Sequence, residues 1–349
     1  MAAKLGGMRS KMTLGSIFWI GLLVVFLNGG QAASLKGPFP SKHLEASTRL
    51  ALDFLEEQVA SWPRENGCFS CHNNSDAPQT LFAARQYGWD IAGDSISSTL
   101  DWLSSPEKWD KQQGDPNVSD QQLADVQFAS ALVKAVSAGV LGEEKWNRSV
   151  ARKLVGYQTP EGNWVIEKQD SLGSPAAPGN ALATLKAWTY LNHVSFEESE
   201  KAVNKAAGFL RNMPLESVSQ TAAKLLFIRA SGVQAGGDAV LGLEYLMRAQ
   251  TTLGGWGPYP HRPPEVFDTA LALLAMLPHA RDERIAMIMN RGLSFLIAEQ
   301  LQDGSWRETT RPSGEESHAQ WISTSAWATM ALLEIHQFQK KETASDDQE

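Results

Sequence analysis

Gln158-Thr-Pro-Glu-Gly-Asn-Trp164 is one of three stretches of the chain that share a single pattern. Gln250-Thr-Thr-Leu-Gly-Gly-Trp256 and Gln300-Leu-Gln-Asp-Gly-Ser-Trp306 repeat it: glutamine, five residues and tryptophan, with glycine near the end. Each stretch follows one helix-like pattern and precedes, after a loop, another. The sequence therefore predicts a tandem repeat of helical hairpins joined by Gly-rich turns.

The two helices of each repeat differ in their polarity. Six first helices keep a charged face, whereas six second helices are apolar on nearly every side, so the second set has to be buried all round. The second helices open at Gln79, Gln127, Asn180, Gln220, Asp268 and Thr324. Six buried helices inside six amphipathic ones predict an all-α fold, a closed (α/α)6 toroid. No segment alternates with period two, so essentially no sheet is expected.

The chain divides by composition into three parts. Residues 1–33 have a basic start, an apolar run and a small-residue end, which is typical of a signal peptide. If this segment is not cleaved, it would anchor the protein to a membrane. Residues 42–338 form the toroid, and residues 339–349 are an acidic tail that we expect to be disordered. The sequence thus predicts export, to the periplasm or to its membrane face.

The Gln-x5-Trp stretches resemble the QW motifs of the squalene–hopene cyclase and terpenoid cyclase family, whose toroid is shared with protein prenyltransferase β subunits. The resemblance covers nearly the whole mature chain and implies a structural role, in which glutamine caps helix ends and tryptophan packs on the neighbouring loop. The family's acidic DxDD motif and the metal-binding DDxxD motif are both missing, and the only Asp-Asp pair is Asp346-Asp347. Cyclase activity is therefore not expected of this chain.

The two cysteines form a second motif, Cys68-Phe-Ser-Cys71-His72, in the first loop from an outer to an inner helix, predicted at residues 59–76. CxxCH is the attachment signature of c-type haem, with thioethers to both cysteines and His72 as an iron ligand. Alternatives are a disulfide or redox dithiol, and a zinc site from the same three residues, which lacks an evident fourth ligand.

Two further residues are candidates for chemistry. His318 lies in the sixth loop, next to the first in a closed ring, and is the first choice for a distal iron ligand, ahead of His261 and Met213. Asp268 is the best remaining acid; we expect it to cap its helix, with proton donation as the alternative. The six aligned opening positions would form a polar ring that either lines a ligand mouth or satisfies free helix NH groups.

Two functions remain open, and with them whether the protein is an enzyme. The first is an exported toroid with covalent haem c, serving electron transfer or small-ligand sensing, with a redox partner or an apolar small ligand. The second is an exported toroid enzyme acting on an isoprenoid, lipid or polysaccharide, in which CxxCH is structural. Removing the signal's Lys4, Arg9 and Lys11 lowers the formal charge from −8 to −11, which argues against nucleic acid as a partner.

Overall fold

The computed structural model describes residues 41–111, 120–166, 172–194, 196–232, 236–311 and 316–346. The chain divides into two units, residues 1–35, which lie outside the described part, and residues 36–349, which form the helical body. The predicted signal peptide at 1–33 therefore lies outside the described residues. Within these, none of the helices combines the length and the apolar character that crossing a membrane requires.

The described residues contain twelve α-helices arranged as six hairpins. The first helices of the hairpins are α1 Ser41–Asn66, α3 Gly93–Leu103, α5 Arg148–Tyr157, α7 Glu197–Asn212, α9 Gly237–Ala249 and α11 Glu283–Glu299. The second helices are α2 Ala77–Gln86, α4 Gln121–Ser137, α6 Asn180–Val194, α8 Val218–Ser231, α10 Val266–Met276 and α12 His318–Asp346. Only isolated bridges, and no strands, occur in this part of the chain.

The second helices form a closed inner ring. Each packs on the next, from α2 through α4, α6, α8 and α10 to α12, and α12 packs back on α2. Every residue of α10 is buried, whereas α5 buries one face through Val150, Ala151 and Leu154. The predicted all-α (α/α)6 toroid, with apolar helices inside amphipathic ones, is confirmed.

Each glutamine of the Gln-x5-Trp turns ties its own turn to the next outer helix. Its amide donates one hydrogen bond to the glycine carbonyl of the turn and one to a backbone carbonyl of that helix. The acceptors are Gly162 (3.0 Å) and Ala202 (2.9 Å) for Gln158, Gly254 (2.6 Å) and Ile288 (2.7 Å) for Gln250, and Gly304 (3.1 Å) and Ser47 (3.0 Å) for Gln300. Because Ser47 belongs to α1, the last repeat is joined to the first.

The tryptophans and glycines of these turns have equally regular roles. Trp164, Trp256 and Trp306 are fully buried, and each indole nitrogen donates to a carbonyl of the preceding outer helix at 2.7–2.9 Å. Gly304 has φ 92°, and a Cβ there would lie 2.2 Å from the Leu50 carbonyl oxygen of α1. The turn can approach the next helix this closely only with glycine at that position.

Two boundaries differ from those predicted. Helix α1 continues through Pro63 to Asn66, so the first loop begins at Gly67 rather than at residue 59. Helix α12 runs to Asp346, which replaces the expected disordered tail over residues 339–346. Glu342 in this extension pairs with Arg281 at 2.8 Å, a contact between residues far apart in sequence that the tail's composition does not reveal.

Candidate functional site

The CxxCH loop occupies the place that the Gln-x5-Trp turn takes in later repeats. Gly67 ends α1 in a left-handed conformation, φ 66°, and its NH donates to the Pro63 carbonyl at 3.0 Å. Asn74 then donates to Thr99 Oγ1 on α3 at 2.9 Å. This side chain links the first loop to the next outer helix, as the glutamines do elsewhere.

Ser70, between the two cysteines, shapes the loop. Its hydroxyl oxygen accepts from the backbone NH groups of His72 (3.1 Å) and Asn73 (2.9 Å). This arrangement starts the short π-helical segment His72–Asp76, which leads directly into α2. The loop therefore holds the motif in a defined conformation at the rim of the toroid.

The two cysteines and His72 lie together and are all partly exposed. Both thiols are free, and Cys71 Sγ lies 3.2 Å from His72 Nε2. Burial, reinforced by the negative charge of Asp76, raises the pKa of Cys71 to about 12. The raised pKa keeps the Cys71 sulfur in the thiol form at neutral pH.

The other ring nitrogen of His72 contacts a chain of buried polar side chains. His72 Nδ1 lies 3.3 Å from Ser323 Oγ, and Ser323 Oγ donates to Asp76 Oδ2 at 2.8 Å. Asp76 Oδ1 accepts from Lys186 Nζ at 2.8 Å. Burial lowers the pKa of His72 to about 4 even though Asp76 acts in the opposite direction, so the ring is neutral near pH 7.

This polar chain crosses the lumen of the toroid. Lys186 is on α6, which does not neighbour α2 in the inner ring, and its ammonium also lies 5.5 Å from the centre of the Trp327 ring. Beside this bridge, the described residues leave a small cavity of about 30 Å³. It is lined by Asp76, Gln79, Thr80, Ala326, Trp327 and Met330.

His318 lies at the same rim as the motif, as expected for neighbouring loops. Its Nε2 is 3.3 Å from Asn73 Oδ1, and its ring stacks on Trp62 with centroids 4.9 Å apart. His261 is exposed at a tight turn with φ 66°, and Met213 is buried. Of the three distal candidates, only His318 contacts the CxxCH loop.

Asp268 is not the cap of its helix, so that prediction is wrong. The N-cap position of α10 is Glu265, and Asp268, fully buried in the first turn, pairs with Arg311 of the sixth loop. Arg311 also binds Glu265 at 2.8 Å and donates to the Gly173 carbonyl at 3.2 Å. Burial, with Glu265 nearby, outweighs Arg311 and raises the pKa of Asp268 to about 7.

The aligned polar positions that open the inner helices do not act as one capping ring. Gln127 donates to the Ala176 carbonyl at 2.9 Å, and Thr324 accepts from the Thr309 NH at 3.0 Å. Helices α4 and α12 begin earlier than the alignment predicted, and the caps are other residues, such as Asp120 and Ser217. Gln127 and Thr324 thus connect inner helices to loops, a role that neither interpretation of the sequence anticipated.

The donor set consists of two thiols outside any disulfide and one imidazole, which are the groups that covalent haem attachment uses. No group of three or more His, Cys, Asp and Glu residues within the described ranges is arranged to hold a metal ion by itself. Ser323 uses its proton for Asp76 and offers only lone pairs to His72, which places the imidazole proton on Nδ1. His72 Nε2 therefore carries the free lone pair, on the side of the cysteines.

Four residues of this site were missed by sequence reasoning: Asp76, Lys186, Ser323 and Arg311. Lys186 could have been found, because it is the only Lys, Arg, Asp or Glu in the otherwise apolar helix α6. Asp76 could have been suspected from its place one helical turn after His72. Ser323 and Arg311 carry no such signal. Closure of the ring brings Ser323 to His72 and Asp76, and packing of the sixth loop on the fifth hairpin brings Arg311 to Asp268.

Comparison with known proteins supports the fold and nothing finer. No family model and no curated protein matches the sequence. Among solved structures, the type II terpene cyclase MstE from Scytonema superposes with a TM-score of 0.59 at 12% identity, over 86% of this chain and 99% of that one. A glycosidase solved with glucose superposes with a TM-score of 0.53 at 14% sequence identity, over 84% of this chain and 98% of that one. A Salmonella enterica protein described as a possible GH105 member superposes with a TM-score of 0.52 at 11% identity, over 86% of this chain and 94% of that one. The chain therefore has the helical toroid of terpene cyclases and related enzymes.

Proposed function

We propose that the protein is an exported toroid that carries haem c on Cys68 and Cys71, with His72 as an iron ligand. The observation that carries this proposal is the pair of contacts made by the His72 ring: Nδ1 lies 3.3 Å from a Ser323 hydroxyl that donates to Asp76, and Nε2 faces Cys71 Sγ. Because that hydroxyl directs its proton to Asp76, we infer that the imidazole proton is on Nδ1. A neutral imidazole with a free nitrogen is what iron ligation requires. Export rests on residues 1–33, whose cleavage the mass of the mature protein would reveal.

The chain's own residues have defined tasks in such a site. Cys68 and Cys71 would each add S–H across one vinyl group, the sulfur bonding to one carbon and the hydrogen to the other, with no change of redox state. Conversion of Cys71 to a thioether would also remove the S–H group that lies 3.2 Å from His72 Nε2. The bound group would supply a one-electron iron couple and, if one axial position stays open, a site for a small ligand.

The polar bridge across the lumen favours this function over cyclisation. Asp76, Lys186 and Trp327 occupy space there, and the cavity beside them, about 30 Å³, is far below the usual range of pockets for drug-sized ligands. A redox partner would approach the rim, where His318 is exposed and the cysteines are partly exposed. We take His318 as the candidate for the distal ligand, because it alone of the three candidates contacts this loop.

The experiment is expression of the full chain in a bacterium with active cytochrome c maturation, followed by acid–acetone extraction and a pyridine haemochrome spectrum. We expect haem that resists extraction. In Cys68→Ala or Cys71→Ala, one vinyl group stays intact and the α band shifts to longer wavelength, and in the double variant the haem becomes extractable. Absence of covalent haem in the parent, while a control cytochrome c matures normally, would rule out this function.

A second function is favoured by one observation. Asp268 is fully buried with a pKa of about 7, and its Oδ1 has no hydrogen-bond partner, so it can hold a proton at neutral pH as an acid catalyst does. A solved structure of MstE, which shares the toroid, contains geranylgeranyl dihydroxybenzoate as its substrate. Incubation of the purified chain with that prenyl compound, followed by mass spectrometry and NMR of the products, tests this function. A cyclised product that is lost in Asp268→Asn but retained in Cys68→Ala would support the cyclase function. Recovery of the unchanged compound would exclude this function for this substrate.

A further inference from the structure

Ser323 and Asp76 lie on the side of His72 away from the cysteines. Ser323 lies between the other two residues and donates its hydroxyl proton to Asp76. Ser323 is fully buried and Asp76 is 5% exposed, so bulk water does not compete for these hydrogen bonds. Ser323 is on α12, the last helix of the ring, whereas Asp76 and His72 are in the first loop. The contact between them exists because the toroid closes.

We propose that Ser323 and Asp76 are positioning residues that set the tautomer and the basicity of His72 as a haem ligand. This inference rests on the function proposed above. It goes beyond the CxxCH motif, which says nothing about the partner of Nδ1. A serine that relays the charge of a carboxylate makes the imidazole a stronger electron donor, because the Nδ1 proton is partly drawn towards the acceptor.

Lys186 limits this effect and keeps the carboxylate in place. Its ammonium, 8% exposed, neutralises Asp76 across the lumen, and a charge buried without a partner would be strongly destabilising. Changing Asp76 alone would leave Lys186 unpaired and put folding at risk. The link through Ser323 can be cut without disturbing this ion pair, so Ser323 is the position to change.

The first measurement needs no haem. The full chain, made without haem maturation and labelled with 15N-histidine, should show His72 with its proton on Nδ1 in two-bond 15N–1H NMR spectra. Ser323→Ala should move the population towards the Nε2–H form, and Ser323→Thr, which keeps the hydroxyl, should restore it. A parent protein with the proton on Nε2 would overturn the inference.

The second measurement uses the haem protein and a matched control. Ser130→Ala also removes an inner-helix hydroxyl, one that donates to Gln79 Oε1 at 3.1 Å rather than to the His72 chain. We expect Ser323→Ala to shift the midpoint potential to more positive values and to lower the iron–histidine stretching frequency. Ser130→Ala and Ser323→Thr should resemble the parent.

The outcomes separate the two proposals. Covalent haem present in every variant, with equal potentials in Ser323→Ala and Ser130→Ala, would overturn the positioning role and leave the haem function standing. Lack of covalent haem in the parent removes the haem function, and with it the role of both residues towards iron, whatever tautomer the NMR spectra show.

Discussion

At the scale of single residues, two buried carboxylates, Asp76 and Asp268, are each paired with one cation. Asp76 has Lys186 to itself at 2.8 Å and also accepts from Ser323, so its charge is balanced and both oxygens are bonded. Asp268 shares Arg311 with Glu265, and its Oδ1 has no hydrogen-bond partner. Burial raises the pKa of Asp268, and Glu265, which shares the one guanidinium, raises it further.

The raised pKa of Asp268 predicts how stability depends on pH. Between about 4, near the ordinary pKa of an aspartate, and about 7, the folded chain keeps a proton that the unfolded chain releases. Stability from this group is therefore lost as pH rises through that window, and is constant above it. Asp268→Asn cannot titrate, so the free energy of unfolding of the parent, relative to this variant, should fall by about 3–4 kcal/mol between about pH 4 and about pH 7, as measured by urea unfolding at several pH values. A difference between the two proteins that does not change with pH would contradict this account.

How far the sequence predicts the site depends on which residue is considered. Cys68, Cys71 and His72 are adjacent in sequence, so their proximity needed no tertiary information, and His318 follows from the order of loops in a closed ring. Arg311 and Asp268 are 43 positions apart and meet only because the sixth loop folds over the fifth hairpin. The sequence therefore indicated a helix cap at Asp268, because an acidic residue at the start of a helix is most often a cap.

At the scale of elements, the Gln-x5-Trp turn is a fastener between neighbouring hairpins. The glutamine bridges to the outer helix ahead, the tryptophan bonds to the outer helix behind, and glycine allows the close approach. These contacts repeat with nearly the same geometry in the third, fifth and sixth hairpins. The regular spacing made the hairpins predictable from the sequence. The end of α12 was not predictable, because its last turns are polar.

The fastener predicts a specific loss on mutation. Gln300→Ala removes the amide that donates to both the Gly304 and Ser47 carbonyls, and with it one hydrogen bond within the sixth turn and one that joins this turn to α1. We expect the free energy of unfolding to fall by about 1–3 kcal/mol, measured with urea. Gln302→Ala, an exposed position in the same turn, is the control and should change stability by less than about 0.5 kcal/mol. Equal effects at the two positions would show that the amide does not fasten the repeats.

At the scale of the whole molecule, closure distinguishes this ring from an open array of helical repeats. In an open array the terminal repeats contact one neighbour each and unfold first. Here α12 packs on α10, α2 and α1, and Gln300 joins the sixth turn to α1, so the first and last hairpins have two neighbours like the others. The His72–Ser323 contact crosses the same seam, which makes the candidate haem site dependent on closure.

Closure therefore predicts uniform protection of the backbone. Amides in the centres of α1 and α12 should exchange with deuterium about as slowly as those of α6 and α8, because the chain ends belong to the cooperative unit. Gln300→Ala should speed exchange first in α1 and α12, whereas Gln158→Ala, which removes the same fastener between α5 and α7, should speed it there instead. Mass-spectrometric hydrogen exchange on the parent and these two variants gives the comparison. Protection that declines steadily from α6 towards both ends of the parent chain would mean that the contact between α12 and α1 contributes little to stability. The hydrogen bond between His72 and Ser323 of α12 would then be the first part of the site to open.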